Sequence, residues 1–387
     1  MKLIPFIISL LVLGNEFYLS EIFILIGLVQ NYKYLAFKFK LVKTFLSLFL
    51  FLSITFSFYF HQDFLLYFFG LVFSLFCFFN IEIKVNDNDL NNVIKFLKLH
   101  LFYAFFLFIL AIFFGIEFSS FFELPLYGSE RSLSGNSIAP YLFNGIPIYR
   151  IYGLTSEPSL FGSVYVLLLS WISFVNNKEL PSFFLIMFIL SMVLSLSLGS
   201  IFMLIVFLFF YYKKFGINKK LLKYYLYSFS IIFTVLLYDS SLRAAVAFRS
   251  IGRIIETFQG TEGSGFLRLN ATWGGVYEFL KTNKLNNILF GISREQVSFF
   301  LENISFIKIS DFTVSVVSGQ RGSAIALSIY HFGFIGSLFW LLGFFSKKNI
   351  LFSCIILVFL FYTTYFLTFG LLILLILNNS FVKYDKL

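Results

Sequence analysis

Residues 181–212 read PSFFLIMFILSMVLSLSLGSIFMLIVFLFFYY, with Lys178 just before them and Lys213, Lys214, Lys219 and Lys220 just after. Crossing about 30 Å of hydrocarbon takes roughly 20 apolar residues, whereas a straight helix of about 30 residues reaches about 45 Å. Positive charge is retained on the cytoplasmic side, so a single crossing cannot be positive at both ends. The stretch therefore predicts a helical hairpin that turns near Ser197–Gly199 and returns to the side it left. Two other long apolar stretches follow the same logic. Residues 3–31 lie between Lys2 and the Lys33, Lys38, Lys40, Lys43 group, and predict a turn near Asn15 and Glu16. Residues 349–378 lie between Lys347, Lys348 and Lys383, Lys386, and predict a turn near Thr363 and Thr364.

Working outward, six stretches have the length of single spans: 42–60, 64–81, 98–116, 159–175, 221–238 and 322–344. The expectation is an all-α polytopic membrane protein of about twelve transmembrane helices with both termini cytoplasmic. Composition agrees: 59% of the 387 residues are hydrophobic, 61 are Phe, and only 12% are charged, with a mean hydropathy of +0.90. Soluble domains carry about 25% charged residues, so a water-soluble globule is excluded. Met1 to Gly14 has the Lys and short apolar run of a signal peptide but no clean small-residue cleavage site, and reads as a retained first helix. Cys77 and Cys354 both lie in apolar runs and read as packing residues. The map divides the chain into helices one to five (1–116), a first long outer loop (117–158), helices six to nine (159–238), a large, partly helical outer loop (239–321), and helices ten to twelve with a cytoplasmic tail (322–387). Loops this long between helices are usually functional.

Lysine and arginine are distributed differently along this map. Arg131 and Arg150 fall in the first outer loop, and Arg243, Arg249, Arg253, Arg268, Arg294 and Arg321 in the second; none is cytoplasmic. Of the lysines, only Lys281, Lys284 and Lys308 lie outside. Lysine inside is the topological signal. Arginine outside runs against that bias, and a planar guanidinium grips two phosphate or carboxylate oxygens at once. The pattern predicts an anionic ligand at the outer face, the plainer reading being that each Arg pairs with a loop acid or a lipid headgroup. In the second loop, Ser241 to Gln259 reads as a helix that sets Arg249, Arg253 and Glu256 on one face. Phe266, Leu269, Trp273, Tyr277 and Leu280 then recur at helical spacing, predicting a helix in the lipid interface with Trp273 at headgroup level, although the Gly274–Gly275 pair weakens it. Gly260, Gly263 and Gly265 make no nucleotide fingerprint, because no βαβ context surrounds them.

Four short motifs then carry a resemblance. They are Arg150-Ile-Tyr-Gly-Leu-Thr-Ser-Glu157-Pro158-Ser159-Leu-Phe-Gly162; Ser195-Leu-Ser197-Leu-Gly199-Ser200; Arg268 and Trp273 followed by Leu289-Phe-Gly291; and Gly333-Phe-Ile-Gly336. In order and spacing they resemble the Wzy-type O-antigen polymerases, within the O-antigen ligase and polymerase superfamily of bacterial inner membranes, over about 150–344. Leu198 stands where that family commonly has Arg, and Gly322-Ser323 stand in the register of the ligase branch's His-Asn pair, which argues for a polymerase.

The resemblance implies glycosyl transfer at the periplasmic face. A growing glycan on undecaprenyl pyrophosphate is moved onto an incoming undecaprenyl-pyrophosphate-linked repeat unit, without nucleotide sugar, cofactor or metal. The expected partners are these donor and acceptor lipids, the bilayer and a chain-length regulator protein; no nucleic acid is expected. Arg268 and Arg321, with Arg150, Arg249, Arg253 and Arg243, are the candidates for holding the pyrophosphate and stabilising the charge that develops on it. Glu157 is the candidate base, and equally reads as the N-cap of a helix that has Pro158 at its first position, or as a partner for Arg150. Asp239 and Asp311 are weaker candidates. His331 lies mid-span and reads as a packed or hydrogen-bonded histidine, while His61 and His100 are placed at span ends, with no metal cluster. The rivals are an O-antigen ligase or another lipid-linked-sugar glycosyltransferase, and a flippase for lipid-linked oligosaccharides. A flippase would line its path with intramembrane charges, of which this chain has almost none.

Overall fold

The computed structural model describes residues 3–12, 19–37, 41–61, 64–79, 81–114, 141–143, 146–148, 150–151, 153–155, 158–195, 197–216, 272–293, 296–297, 306–309, 312–315, 323–346, 348–362 and 370–382. They are mostly helical. In chain order the elements are α1 (Ile4–Leu11), α2 (Leu19–Asn31), β1 (Leu35–Phe37), α3 (Leu41–His61), α4 (Phe64–Phe79), β2 (Ile81–Val85), α5 (Asp87–Phe114), β3 (Tyr141–Phe143), β4 (Ile146–Ile148), α6 (Pro158–Ser170), α7 (Ser182–Leu194), α8 (Leu198–Phe215), α9 (Thr272–Thr282), α10 (Leu285–Phe290), β5 (Phe306–Ile309), β6 (Phe312–Ser315), α11 (Ala324–Gly343), α12 (Ile350–Tyr362) and α13 (Gly370–Asn378). Among the described residues two helices, α5 and α11, are long and apolar enough to cross a membrane by length and composition.

Of the three long apolar stretches, 181–212 is broken into two helices, α7 and α8. The break in 181–212 falls at Ser195–Ser197, where the Ser195 hydroxyl turns back onto the Met192 carbonyl (2.7 Å) and Ser197 caps α8 by accepting from Ser200 N (3.5 Å). The first arm, α7, has 13 residues, a reach of about 20 Å. That is short of the roughly 30 Å of hydrocarbon that a full crossing takes. The turns expected near Asn15 and Thr363, and the span 221–238, lie outside the described residues.

The chain forms two compact units. The first comprises residues 1–33, 85–252 and 381–387. Its centre is α6, every residue of which from Leu160 onward is buried, as is the π-helical turn Trp171–Val175 that continues it. A helix apolar on every side has to be surrounded by protein or lipid, and here α1 and α8 pack against it. Tyr165 stacks with Phe188 of α7 (5.9 Å), and Phe188 meets Phe207 of α8 edge-on (6.2 Å). The carbonyls at the end of the π-turn accept from Lys214: Ser173 O at 2.9 Å and Phe174 O at 3.2 Å. Helix α5 starts eleven residues before the apolar stretch that begins at 98, because Asn86 caps it, accepting from Asp89 N at 2.7 Å, and Asp87 and Asp89 sit in its positive first turn. Lys178 pairs with Asp87 at 3.2 Å.

The second unit comprises residues 34–84 and 253–380. Helices α3 and α4 pack on each other, and α11 packs on α3, with Phe49 stacked on Phe339 at 5.1 Å. Strands β1 and β2, absent from the helical expectation, pair antiparallel with Ala36 opposite Glu82. The ends of α11, α12 and α13 are tied by amides: Asn378 Nδ2 donates to Phe344 O (2.6 Å), and Asn349 Nδ2 to Asn378 O (2.5 Å). Helix α9 runs through Gly274–Gly275, so the glycine pair does not interrupt it. Gly275 is there for proximity: a Cβ at this position would lie 2.6 Å from the Tyr330 hydroxyl of α11.

Candidate functional site

The first two motifs meet within the first unit. Arg150 is buried, and its Nε–H donates to the Ser195 carbonyl at 2.7 Å. Ile151 N donates to Leu194 O at 3.4 Å. The last carbonyls of a helix lack intrahelical partners and carry negative potential, so the end of α7 is a natural seat for a guanidinium. One element further in, Gly162 of α6 faces Ser200 of α8 so closely that a Cβ would collide with the Ser200 hydroxyl.

The strap 150–155 is held from its other side by a residue that the sequence places at a span end. His100 lies midway along α5, buried, and its Nε2 accepts from Leu154 N at 2.8 Å. A backbone N–H can only donate, so the neutral ring carries its proton on Nδ1. Nδ1 is 2.6 Å from the Tyr165 hydroxyl, which in turn donates to Leu97 O at 3.0 Å. The chain of bonds runs one way, from the strap through His100 and Tyr165 to the backbone of α5. Gly153 is required beside it, since a Cβ there would lie 2.6 Å from His100 Nε2. An irregular segment packed among apolar helices is tolerated only when protein satisfies its backbone, and Leu194 O and His100 Nε2 do this for Ile151 and Leu154.

The third and fourth motifs meet within the second unit. Helix α11 is kinked at Gly333, where φ is 65° and ψ is −176°, a conformation essentially reserved for glycine. Into the kink fits Gly291, the residue that ends α10, with φ +84°. A Cβ on Gly291 would collide with the His331 carbonyl, and one on Gly333 with the Leu289 carbonyl. The kink frees backbone acceptors that neighbours satisfy: Ile292 N donates to Tyr330 O at 2.8 Å, and the Ser53 hydroxyl to Phe332 O at 3.5 Å. His331 is buried beside this junction. Ser323, in the ligase histidine-asparagine register, caps α11 and accepts from Ile325 N at 3.2 Å. Trp273 is half-buried and stacks on Phe361 at 5.6 Å.

Of the sequence-derived site residues, Arg150 is the one that the described structure contains. Glu157, Arg243, Arg249, Arg253, Arg268 and Arg321 lie outside the described residues, as do Arg131, Arg294, Asp239 and Asp311. Helix α6 begins at Pro158, the residue after Glu157. No group of three or more His, Cys, Asp or Glu side chains that could hold a metal occurs among the described residues. Sequence reasoning passed over His100 and Tyr165. The signal for His100 was the Asn86-Asp87-Asn88-Asp89 cap, which moves the start of α5 back and leaves the histidine deep within a long helix.

Compared with protein-family models, curated proteins and solved structures, the chain matches none.

Proposed function

We propose that the chain is a polymerase of lipid-linked oligosaccharide repeat units, working at the periplasmic face of a bacterial inner membrane in the synthesis of O-antigen or a related surface polysaccharide. The observation that carries this reading is the pairing of its motifs. Arg150 of the first is bonded to Ser195 of the second, and Gly291 of the third is seated against Gly333 of the fourth. Segments far apart in sequence that read as one family's pattern are thus neighbours two by two. Side assignment offers further support, since Lys178 and Asp87, Lys214 and Ser173, and Lys43 and Asn379 are bonded pairs whose members the charge map puts on one face.

In the proposed reaction the anomeric carbon of the growing glycan leaves the pyrophosphate oxygen of its undecaprenyl carrier and bonds to a hydroxyl oxygen of the incoming repeat unit. The hydroxyl proton passes to a base, for which Glu157 is the candidate. The departing undecaprenyl pyrophosphate gains negative charge as the bond breaks. Fixed cations aimed at that charge lower the barrier, the role given to Arg268 and Arg321 with Arg150, Arg243, Arg249 and Arg253. The energy comes from the activated donor, so neither a cofactor nor a nucleotide sugar enters the balance. A chain-length regulator would act on this protein as a partner.

Deletion of the gene in its source bacterium tests the reading on a lipopolysaccharide gel. Core carrying one repeat unit without a ladder is expected, because units are made, flipped and ligated but not joined. Bare core would overturn the proposal in favour of a flippase or a ligase, and an unchanged ladder would remove the chain from the pathway.

A further inference from the structure

Helix α9 presents three different surfaces. Val276 and Phe279 are buried against Ala326, Ile329 and Tyr330 of α11, with the Phe279 and Tyr330 rings edge-to-face at 5.3 Å. On one side of that seam Tyr277 is 64% and Leu280 39% exposed, and Leu285 at the start of α10 is 66% exposed. Lys281 and Lys284 are exposed beside them. On the other side lie Glu278 and the exposed Thr282.

We propose that α9 and the start of α10 rest on the lipid of the bilayer around α11. In this arrangement Tyr277, Leu280 and Leu285 lie in the headgroup–acyl boundary, and Lys281 and Lys284 sit on lipid phosphates. The choice of lipid over a protein partner follows from the residue types. Lysine is depleted from protein–protein contacts, whereas a tyrosine with apolar neighbours and lysines whose stems run along apolar surface are the usual furnishing of a membrane interface. The level fits as well. α9 packs on the first two turns of α11, a helix long and apolar enough to cross a membrane, and α10 continues down to Gly333 halfway along it. The inference keeps the interfacial placement expected for this segment from its sequence and adds the face that meets the lipid, Tyr277, Leu280 and Leu285 with Lys281 and Lys284, while the Trp273 ring stacks on Phe361. It rests on α11 crossing the membrane, and does not depend on the polymerase assignment.

The test is nitroxide labelling of single cysteines at Leu280, Leu285, Thr282 and Phe334, with Cys77 and Cys354 replaced by Ser. The full chain is placed in vesicles of phosphatidylethanolamine and phosphatidylglycerol, and power saturation is measured with oxygen and with a water-soluble nickel chelate. Labels at Leu280 and Leu285 are expected to collide several-fold more with oxygen than with nickel, and the label at Thr282 the reverse. Phe334, 57% exposed near the middle of α11, is expected to report oxygen alone. Leu280 and Leu285 behaving like Thr282, or shielded from both reagents by a protein partner, would overturn the proposal while Phe334 still marked α11 as a span. Nickel access at Phe334 would remove α11 from the bilayer and the proposal with it. Neither result touches the gel phenotype that tests the polymerase reading.

Discussion

One hydroxyl joins three segments of the first unit. Tyr165 of α6 accepts a hydrogen bond from His100 Nδ1–H and donates one to Leu97 O, so the ring that holds the 150–155 strap is fixed in one tautomer. Tyr165→Phe keeps the ring in its stack with His100 (5.5 Å) and Phe188, and removes only the acceptor. A buried donor left without a partner costs about 1–3 kcal/mol. The variant is expected to unfold in detergent with a stability lower by about that amount and, if the chain is the polymerase proposed above, to shorten the polymer because the strap that carries Arg150 loses a tie. An unchanged unfolding midpoint would show that the hydroxyl does not hold the strap. This network was invisible in the sequence for a physical reason. A hydrogen bond between α5 and α6 joins residues 65 apart, and hydrophobic periodicity reports only which residues face inward. Arg150, by contrast, stood out by its charge in an apolar chain, and the structure seats it on Ser195 of the second motif.

At the scale of elements, the junction of α10 with α11 rests on two backbones that approach with no side chain between them. Gly333→Ala would place a methyl against the Leu289 carbonyl at a φ of 65°, where L residues are strained by about 1–3 kcal/mol. Helix α10 is expected to lift out of the kink, which trypsin would report as faster cleavage at Lys281 and Lys284 in the purified protein. Equal cleavage rates in the variant and the parent would mean that α10 is held elsewhere. The break in 181–212 was legible from the lysines at both of its ends, and the Ser195–Ser197 turn falls where that argument puts it. The length of the arms was not legible. Ser197 starts α8 by capping it through its own hydroxyl, a local effect that an apolar-length count passes over, and α7 before it has 13 residues. The same count marks only the apolar part of α5, whose polar first turns are stabilised by the Asn86 cap and by α7 alongside. Strands β1 and β2 are only three and five residues long and give no alternation strong enough to read.

For the molecule as a whole, the decisive asymmetry is chemical: all eight arginines fall in the segments that the charge map puts outside. If they act on one pyrophosphate, removing a single one should damage turnover far more than folding. Arg268 is the sharpest choice, since it precedes α9 by four residues and opens the third motif. Arg268→Ala is expected to leave the protein in the membrane at normal abundance and to lower the polymerisation rate by about 100-fold to 1000-fold, the loss typical of one preorganised donor at a developing anion, about 2.7–4 kcal/mol. Arg268→Lys separates charge from shape. Lysine restores the positive charge but not the two-pronged grip, so its polymer should fall between those of the parent and the alanine variant. The readout is the ladder on a lipopolysaccharide gel in a deletion strain complemented with each variant, beside an immunoblot of the membrane fraction. A full ladder from Arg268→Ala would sink the assignment of Arg268 to the leaving group. Loss of the protein from the membrane would instead make Arg268 a structural residue, and the same pair of substitutions at Arg321 and Arg253 would then decide whether any outer arginine meets the pyrophosphate.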